Sequence, residues 1–174
     1  YSGDDGFEIF VGSTGASKIW SQLVQMGANP VGFEALNIAR IEAGLLFFGQ
    51  DMTGNETPTE LGLDFTVECN NHNFRGKSAF LKNIKKPKIK TVGLVISPSS
   101  LLLGNEKLLI NGKVSGLIRS FARSKWLKKT IAIAHVELKY ASVGQEFSVG
   151  DDSFSTREKI VAKVCSRRFY NQLI

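Results

Sequence analysis

Glu8 is the residue of this chain whose setting most invites chemistry. It stands within Phe7-Glu8-Ile9-Phe10-Val11, which alternates as a strand does: Phe7, Ile9 and Val11 on one face, Glu8 and Phe10 on the other. A carboxylate among aromatic side chains is costly to bury without a partner. Three roles fit it: an exposed surface charge, an ion pair with an arginine such as Arg40, or a receptor for adjacent N–H donors on a ligand. In the last role it would accept two parallel hydrogen bonds, as from the amino-amide edge of a pterin or guanine ring.

The other chemical candidates are sparse. His72 lies in the polar run Asn70-Asn71-His72-Asn73 and reads as solvated, while His135 lies in the apolar run Ile131–Val136 and reads as a satisfied histidine of a barrel wall. No ligand spacing joins them, so the sequence gives no metal centre. The chain has no phosphate-cradling glycine loop, no dinucleotide fingerprint and no serine elbow. Cys69 and Cys165 are far apart and read as reduced thiols of a cytosol-like compartment. Asn55-Glu56-Thr57 fits a glycosylation triplet, which two cysteines do little to support.

Elements must position these groups. The chain has 174 residues, 43% of them hydrophobic, with 22 Lys+Arg against 16 Asp+Glu and a net charge of +6. That composition builds a core and excludes wholesale disorder, and no apolar run reaches the roughly 18 residues of a membrane span. Residues 15–26 read as a helix capped by Ser13 or Thr14, with Ile19, Trp20, Leu23 and Val24 on its apolar face and Gly27 as its stop. Residues 33–43 read as a second helix ending at Gly44, with Arg40 on its flank as a structural pairing residue. Thr57-Pro58-Thr59-Glu60 has the signature of a capped helix start. Leu63, Phe65 and Val67 alternate as a strand, and a helix covers 77–85.

Beyond Lys82–Lys90, a lysine-rich stretch that reads as a solvated linker, the texture changes. Residues 91–97, 106–110, 113–119, 130–138, 145–149 and 158–165 read as short strands, and Asn111-Gly112 marks a two-residue hairpin. The expected class is α+β, with a boundary near residue 90 and a small antiparallel barrel or sandwich after it. Further basic clusters lie at Arg119, Arg123, Lys125, Lys128 and Lys129, and at Arg167-Arg168. Nucleic-acid binding would need such charges on one face together with exposed aromatics, and it is not the preferred reading.

Several stretches also resemble a known family. Tyr1-Ser2-Gly3-Asp4-Asp5-Gly6-Phe7-Glu8-Ile9 is similar to the Tyr-Thr-Gly-Glu-Asp-Gly-Phe-Glu-Ile motif of the glycine cleavage T-protein (aminomethyltransferase) family. In the same order follow Ala39-Arg40-Ile41-Glu42-Ala43-Gly44-Leu45, Phe48-Gly49-Gln50-Asp51, Thr57-Pro58-Thr59-Glu60-Leu61-Gly62-Leu63, Phe74-Arg75-Gly76-Lys77 and Ser124-Lys125-Trp126-Leu127-Lys128-Lys129, each similar to a family segment. The resemblance implies the C-terminal part of a tetrahydrofolate-binding domain over residues 1–90, then a C-terminal β-barrel domain over 91–174.

It implies tetrahydrofolate as cofactor, with Tyr1 and Glu8 lining its site. It implies one-carbon transfer from a small methylated or aminomethylated donor, including one on a lipoyl carrier protein, in the cytoplasm or a mitochondrial matrix. The family's catalytic aspartate falls upstream of Tyr1, so no catalytic residue is expected within 1–174, and the N-terminal half of the same protein becomes the expected partner. Tyr1 in place of a Met fits such a piece, and an exposed edge is expected where the first half sits. An arginine of the T-protein branch falls at Leu36, and Leu117-Ile118-Arg119-Ser120 is more similar to demethylase relatives. Arg167 or Arg168 is a candidate cation for the folate glutamate. The alternative is a non-catalytic folate-binding scaffold of the iron–sulfur assembly type, whose cysteine-bearing motif is replaced here by Asn73-Phe74-Arg75-Gly76-Lys77. A basic interaction module built on Lys82–Lys90 is a third reading.

Overall fold

Six antiparallel strands close into a barrel in the order β1-β4-β3-β2-β5-β6. They are β1 (Ile89–Ser97), β2 (Lys107–Ile110), β3 (Lys113–Ser124), β4 (Lys129–Glu137), β5 (Glu146–Val149) and β6 (Val161–Cys165). The computed structural model describes residues 1–70, 73–97, 102, 104–150 and 160–172, so His72 and positions 158–159 of the last expected strand lie outside the described residues. Asn111 and Gly112 both take positive φ, 49° and 75°, and Ile110 pairs with Lys113 across them. That is the two-residue turn whose twist matches its strands, and glycine holds the second left-handed position without strain.

The barrel interior is filled by Val92, Leu94, Ile96, Leu108, Ile118, Ala132, Ala134, Val136, Phe147, Ala162 and Val164. The alternate residues of β4, Ile131 and Ile133, point outward, yet they too are buried, against Ile41, Leu46, Leu61, Ala122 and Phe169. Strand β4 is thus covered on both faces, which explains its unbroken apolar run. Each such aliphatic side chain contributes about 1.5–3 kcal/mol, so the second cluster fixes the N-terminal segment to the barrel wall.

Among the described residues four α-helices precede the barrel: α1 (Ser13–Gln25), α2 (Phe33–Glu42), α3 (Pro58–Leu61) and α4 (Lys77–Asn83). In α3 the expected cap is present: the Thr57 side chain accepts from the Glu60 N–H, and Glu60 accepts from the Thr57 N–H. Helix α2 lies against β3 and β4. Lysines 82, 85, 86, 88 and 90 are all exposed, but the stretch is not linker throughout: Lys82 lies in α4 and Lys90 in β1.

Three local expectations need correction. Helix α1 has Gly12 at its N-cap with no side-chain cap, because Ser13 and Thr14 already lie within the helix. Residues 7–11 form no strand, because a strand exists only where a neighbour completes its ladder. Leu63–Val67 is not a strand either. Asp64–Thr66 forms a 3-10 turn, in which the Thr59 hydroxyl donates to Asp64 Oδ1 at 2.6 Å and the Thr66 hydroxyl to the Leu63 carbonyl at 2.7 Å. Short polar side chains that bond locally outcompete the apolar alternation.

Candidate functional site

The short loop after α2 is organised by one buried ion pair. Arg40, in the last turn of α2, is 1% exposed and Asp51 is 0% exposed. The guanidinium donates to Asp51 Oδ2, to Asn37 Oδ1 at 2.8 Å, to Gln50 Oε1 at 2.8 Å and to the Leu45 carbonyl at 3.2 Å. Asp51 accepts in turn from the Phe47 N–H at 2.8 Å, and its Oδ1 accepts from the Ser120 hydroxyl at 2.5 Å. Both ions are therefore satisfied away from water, the condition under which a buried pair is tolerated. Arg40 is a structural pairing residue, as expected, but its partner is Asp51, which excludes the Glu8–Arg40 pair.

Ser120 reaches Asp51 through an irregularity in β3. The β3–β4 register shifts between Ile118 and Ser120, leaving Arg119 as the extra residue. Ile118 points into the barrel, and beyond the bulge Ser120 turns outward to the loop. Bulges re-aim side chains in this way.

On the loop rests Tyr1. Its hydroxyl donates to the Leu46 carbonyl, and its ring meets Phe47 edge-on, centroids 6.0 Å apart. Phe33 meets the same Phe47 ring at 6.3 Å, and the Arg40 guanidinium lies 5.9 Å from its centroid. Burial raises the Tyr1 phenol above the ordinary tyrosine value, Arg40 opposing and Asp51 reinforcing. Tyr1 remains half exposed.

Glu8 sits beside fully exposed Phe7 and nearly fully exposed Phe10. Among the described residues it has no hydrogen-bond partner and no ion pair. The sequence therefore located Tyr1 and Glu8 on one segment but gave no sign of the Asp51–Ser120 link, whose signal is a bulge and a contact 69 residues apart.

The two arginines at the end of β6 differ. Arg167 donates to the Leu61 carbonyl at 2.5 Å, and burial pushes its guanidinium below the usual value. Arg168 is exposed. Nearby, the Tyr170 hydroxyl donates to Glu42 Oε2 at 3.2 Å, and the phenol is pushed up to about 12, chiefly by burial and then by Glu42.

His135 is buried in the barrel wall as expected, but it is not fully satisfied. Its Nδ1 lies 3.9 Å from Glu56, and among the described residues its Nε2 has no partner. Burial, and then Arg119, hold its pKa below 6.5, with Glu56 and Asp51 opposing. The unfolded chain takes up a proton that the native His135 resists, so stability should fall as pH drops through 6.5 and level off below the folded value. Urea unfolding between pH 7 and 5 checks this, and His135→Gln should flatten the slope.

Cys69 and Cys165 are not joined in a disulfide. Among the described residues no group of three or more His, Cys, Asp or Glu could hold a metal ion, and no helix is long and apolar enough to cross a membrane.

Two family models match the chain, the GCVT N-terminal domain over residues 1–71 and the glycine cleavage T-protein C-terminal barrel domain over residues 90–171. The chain belongs to the glycine cleavage T-protein family. A relative named aminomethyltransferase from Picosynechococcus sp. is 35% identical over 156 residues, covering 86% of this chain and 42% of the relative. Another of that name, from Legionella pneumophila, is 34% identical over 176 residues, covering 99% of this chain and 47% of the relative. The crystal structure of glycine cleavage system aminomethyltransferase T from Bartonella henselae matches with a TM-score of 0.79 at 26% identity, over 89% of this chain and 44% of that one. The chain thus spans about half the length of the T-protein relatives it matches, and the closed barrel is the family's C-terminal barrel.

Proposed function

We propose that residues 1–174 are the C-terminal half of a tetrahydrofolate-dependent enzyme that transfers an aminomethyl or methyl one-carbon unit. The observation that carries this reading is Glu8: a carboxylate with both oxygens open, flanked by exposed aromatics, on the same segment as the anchored Tyr1. A pterin ring offers what these residues lack. Its amino-amide edge supplies the paired donors that a carboxylate takes, and its face suits a half-exposed aromatic ring. Tetrahydrofolate, when bound, would be the one-carbon acceptor. Glu8 would orient it, and Tyr1 would pack beside it.

In this reading residues 1–90 are the back part of the folate-binding domain and residues 91–174 are the barrel that closes one side of its channel. The N-terminal half of the same protein covers the apolar surface of residues 1–33. Helix α1 has no buried residue, and Phe7, Phe10, Trp20, Met26, Val31 and Phe33 are all exposed, large apolar side chains of the kind that a partner surface covers. The catalytic aspartate and most of the donor pocket belong to that half. The donor is a small methylated or aminomethylated compound, free or carried on a lipoyl protein.

The test is tetrahydrofolate binding by calorimetry to the full-length protein. Glu8→Ala should weaken it by about 1.5–3 kcal/mol, the range for a hydrogen bond to a charged group. Unchanged affinity would remove Glu8 from the site.

A further inference from the structure

Tyr1 lies in no helix or strand. Its position depends on the Leu46 carbonyl, which its hydroxyl bonds, and on the Phe47 ring, which its edge meets. Both belong to the loop that Asp51 gathers, through the Phe47 N–H and through Arg40, which itself holds the neighbouring Leu45 carbonyl. Asp51 is in turn tied to the barrel by the hydroxyl of Ser120, a buried side chain aimed outward at the β3 bulge. Ser120, Asp51, Phe47 and Tyr1 thus form one unbroken chain of contacts from the barrel wall to the candidate ligand-facing ring.

We propose that Ser120 is a positioning residue for Tyr1: it orients the Asp51 carboxylate, and the Asp51–Arg40 pair then sets the loop on which the Tyr1 ring rests. The geometry favours this over a plain packing role. Ser120 spends its hydroxyl on the one carboxylate oxygen that neither Arg40 nor the Phe47 N–H uses, so Asp51 is held at both ends and cannot rotate. Losing Ser120 frees that rotation without removing a charge. The consequence for ligand affinity rests on the folate reading above; the positioning itself does not.

Two measurements separate them. The first is a pH titration of the Tyr1 ring carbon resonance in the full chain, assigned by its loss in Tyr1→Phe. In the native chain Tyr1 titrates above the ordinary value of 10.0. In Ser120→Ala the midpoint should move back toward 10.0 as the ring is released into water, and Ser120→Thr, which keeps the hydroxyl, should restore the native midpoint. The second is a double-mutant cycle on tetrahydrofolate affinity in the full-length protein. Ser120→Ala should weaken binding about three- to tenfold, and adding it to Tyr1→Phe should produce almost no further loss, because coupled residues are not additive. An unchanged Tyr1 midpoint in Ser120→Ala, or a Thr variant that behaves like Ala, overturns the positioning role. A shifted midpoint with folate affinity indifferent to Tyr1→Phe upholds the positioning and overturns the folate contact.

Discussion

Asp51→Ala should destabilise the chain by about 3–5 kcal/mol, the range for a buried ion left without its partner. Arg40 is the reason. It is 1% exposed, and a guanidinium buried to that degree needs a partner. With Asp51 gone it keeps only the Asn37, Gln50 and Leu45 oxygens, all uncharged. The Phe47 N–H and the Ser120 hydroxyl lose their acceptor at the same time. A loss of this size is a large fraction of the 5–15 kcal/mol that typically separates folded from unfolded states. Urea unfolding should show an earlier midpoint with an unchanged slope. Pairing the change with Arg40→Met should recover much of the loss, because no charge then remains buried; a single-variant loss below about 1 kcal/mol would contradict the ion-pair account.

Gly44→Ala should be nearly as severe, at about 2–5 kcal/mol, for a steric reason. Gly44 ends α2 at φ +74°, and a Cβ there would lie 2.4 Å from the Arg167 carbonyl oxygen and 2.8 Å from its carbon. The left-handed backbone alone costs a residue with a Cβ about 1–2 kcal/mol. The overlap is with backbone that cannot swing aside, and overpacking of that kind adds about 1–3 kcal/mol. The substitution therefore pries the end of β6 off the end of α2, where Arg167 also reaches the Leu61 carbonyl. The same unfolding measurement checks it. A Gly44→Ala chain within about 0.5 kcal/mol of the native one would show that the two segments are not held together at this point.

The parts of the fold written in local chemistry could be read from the sequence. Asn111-Gly112 specifies its turn through two positive φ angles, and Thr57-Pro58-Thr59-Glu60 specifies its cap through side chains three residues apart. Most barrel strands were legible within a few residues because alternation and turn signals agree there, but β3 runs on to Ser124, past the expected end at 119, because the bulge at Arg119 breaks the alternation without ending the strand. Residues 7–11 carried the same alternation yet form no strand, since pairing depends on a neighbour that no local pattern reveals. At Asp64–Thr66 local hydroxyl bonds overrode the pattern.

The candidate site divides the same way. Glu8 was conspicuous because a carboxylate among aromatics is chemically odd wherever it lies. Arg40 could be assigned a pairing role, but nothing in the sequence pointed to Asp51 as its partner. Ser120 stood only at the end of a segment compared with demethylase relatives, and nothing marked this role: it arises from a bulge that turns the residue outward and from a contact between distant parts of the chain.

The most direct test of the proposed function is transfer itself. Full-length protein, tetrahydrofolate and an aminomethylated lipoyl carrier protein or a methylated amine are combined, and the one-carbon product on folate is measured. The account predicts folate-dependent transfer from at least one of these donors, strongly reduced by Glu8→Ala. Tight tetrahydrofolate binding with no transfer from any donor would contradict it and leave a folate-binding scaffold in its place.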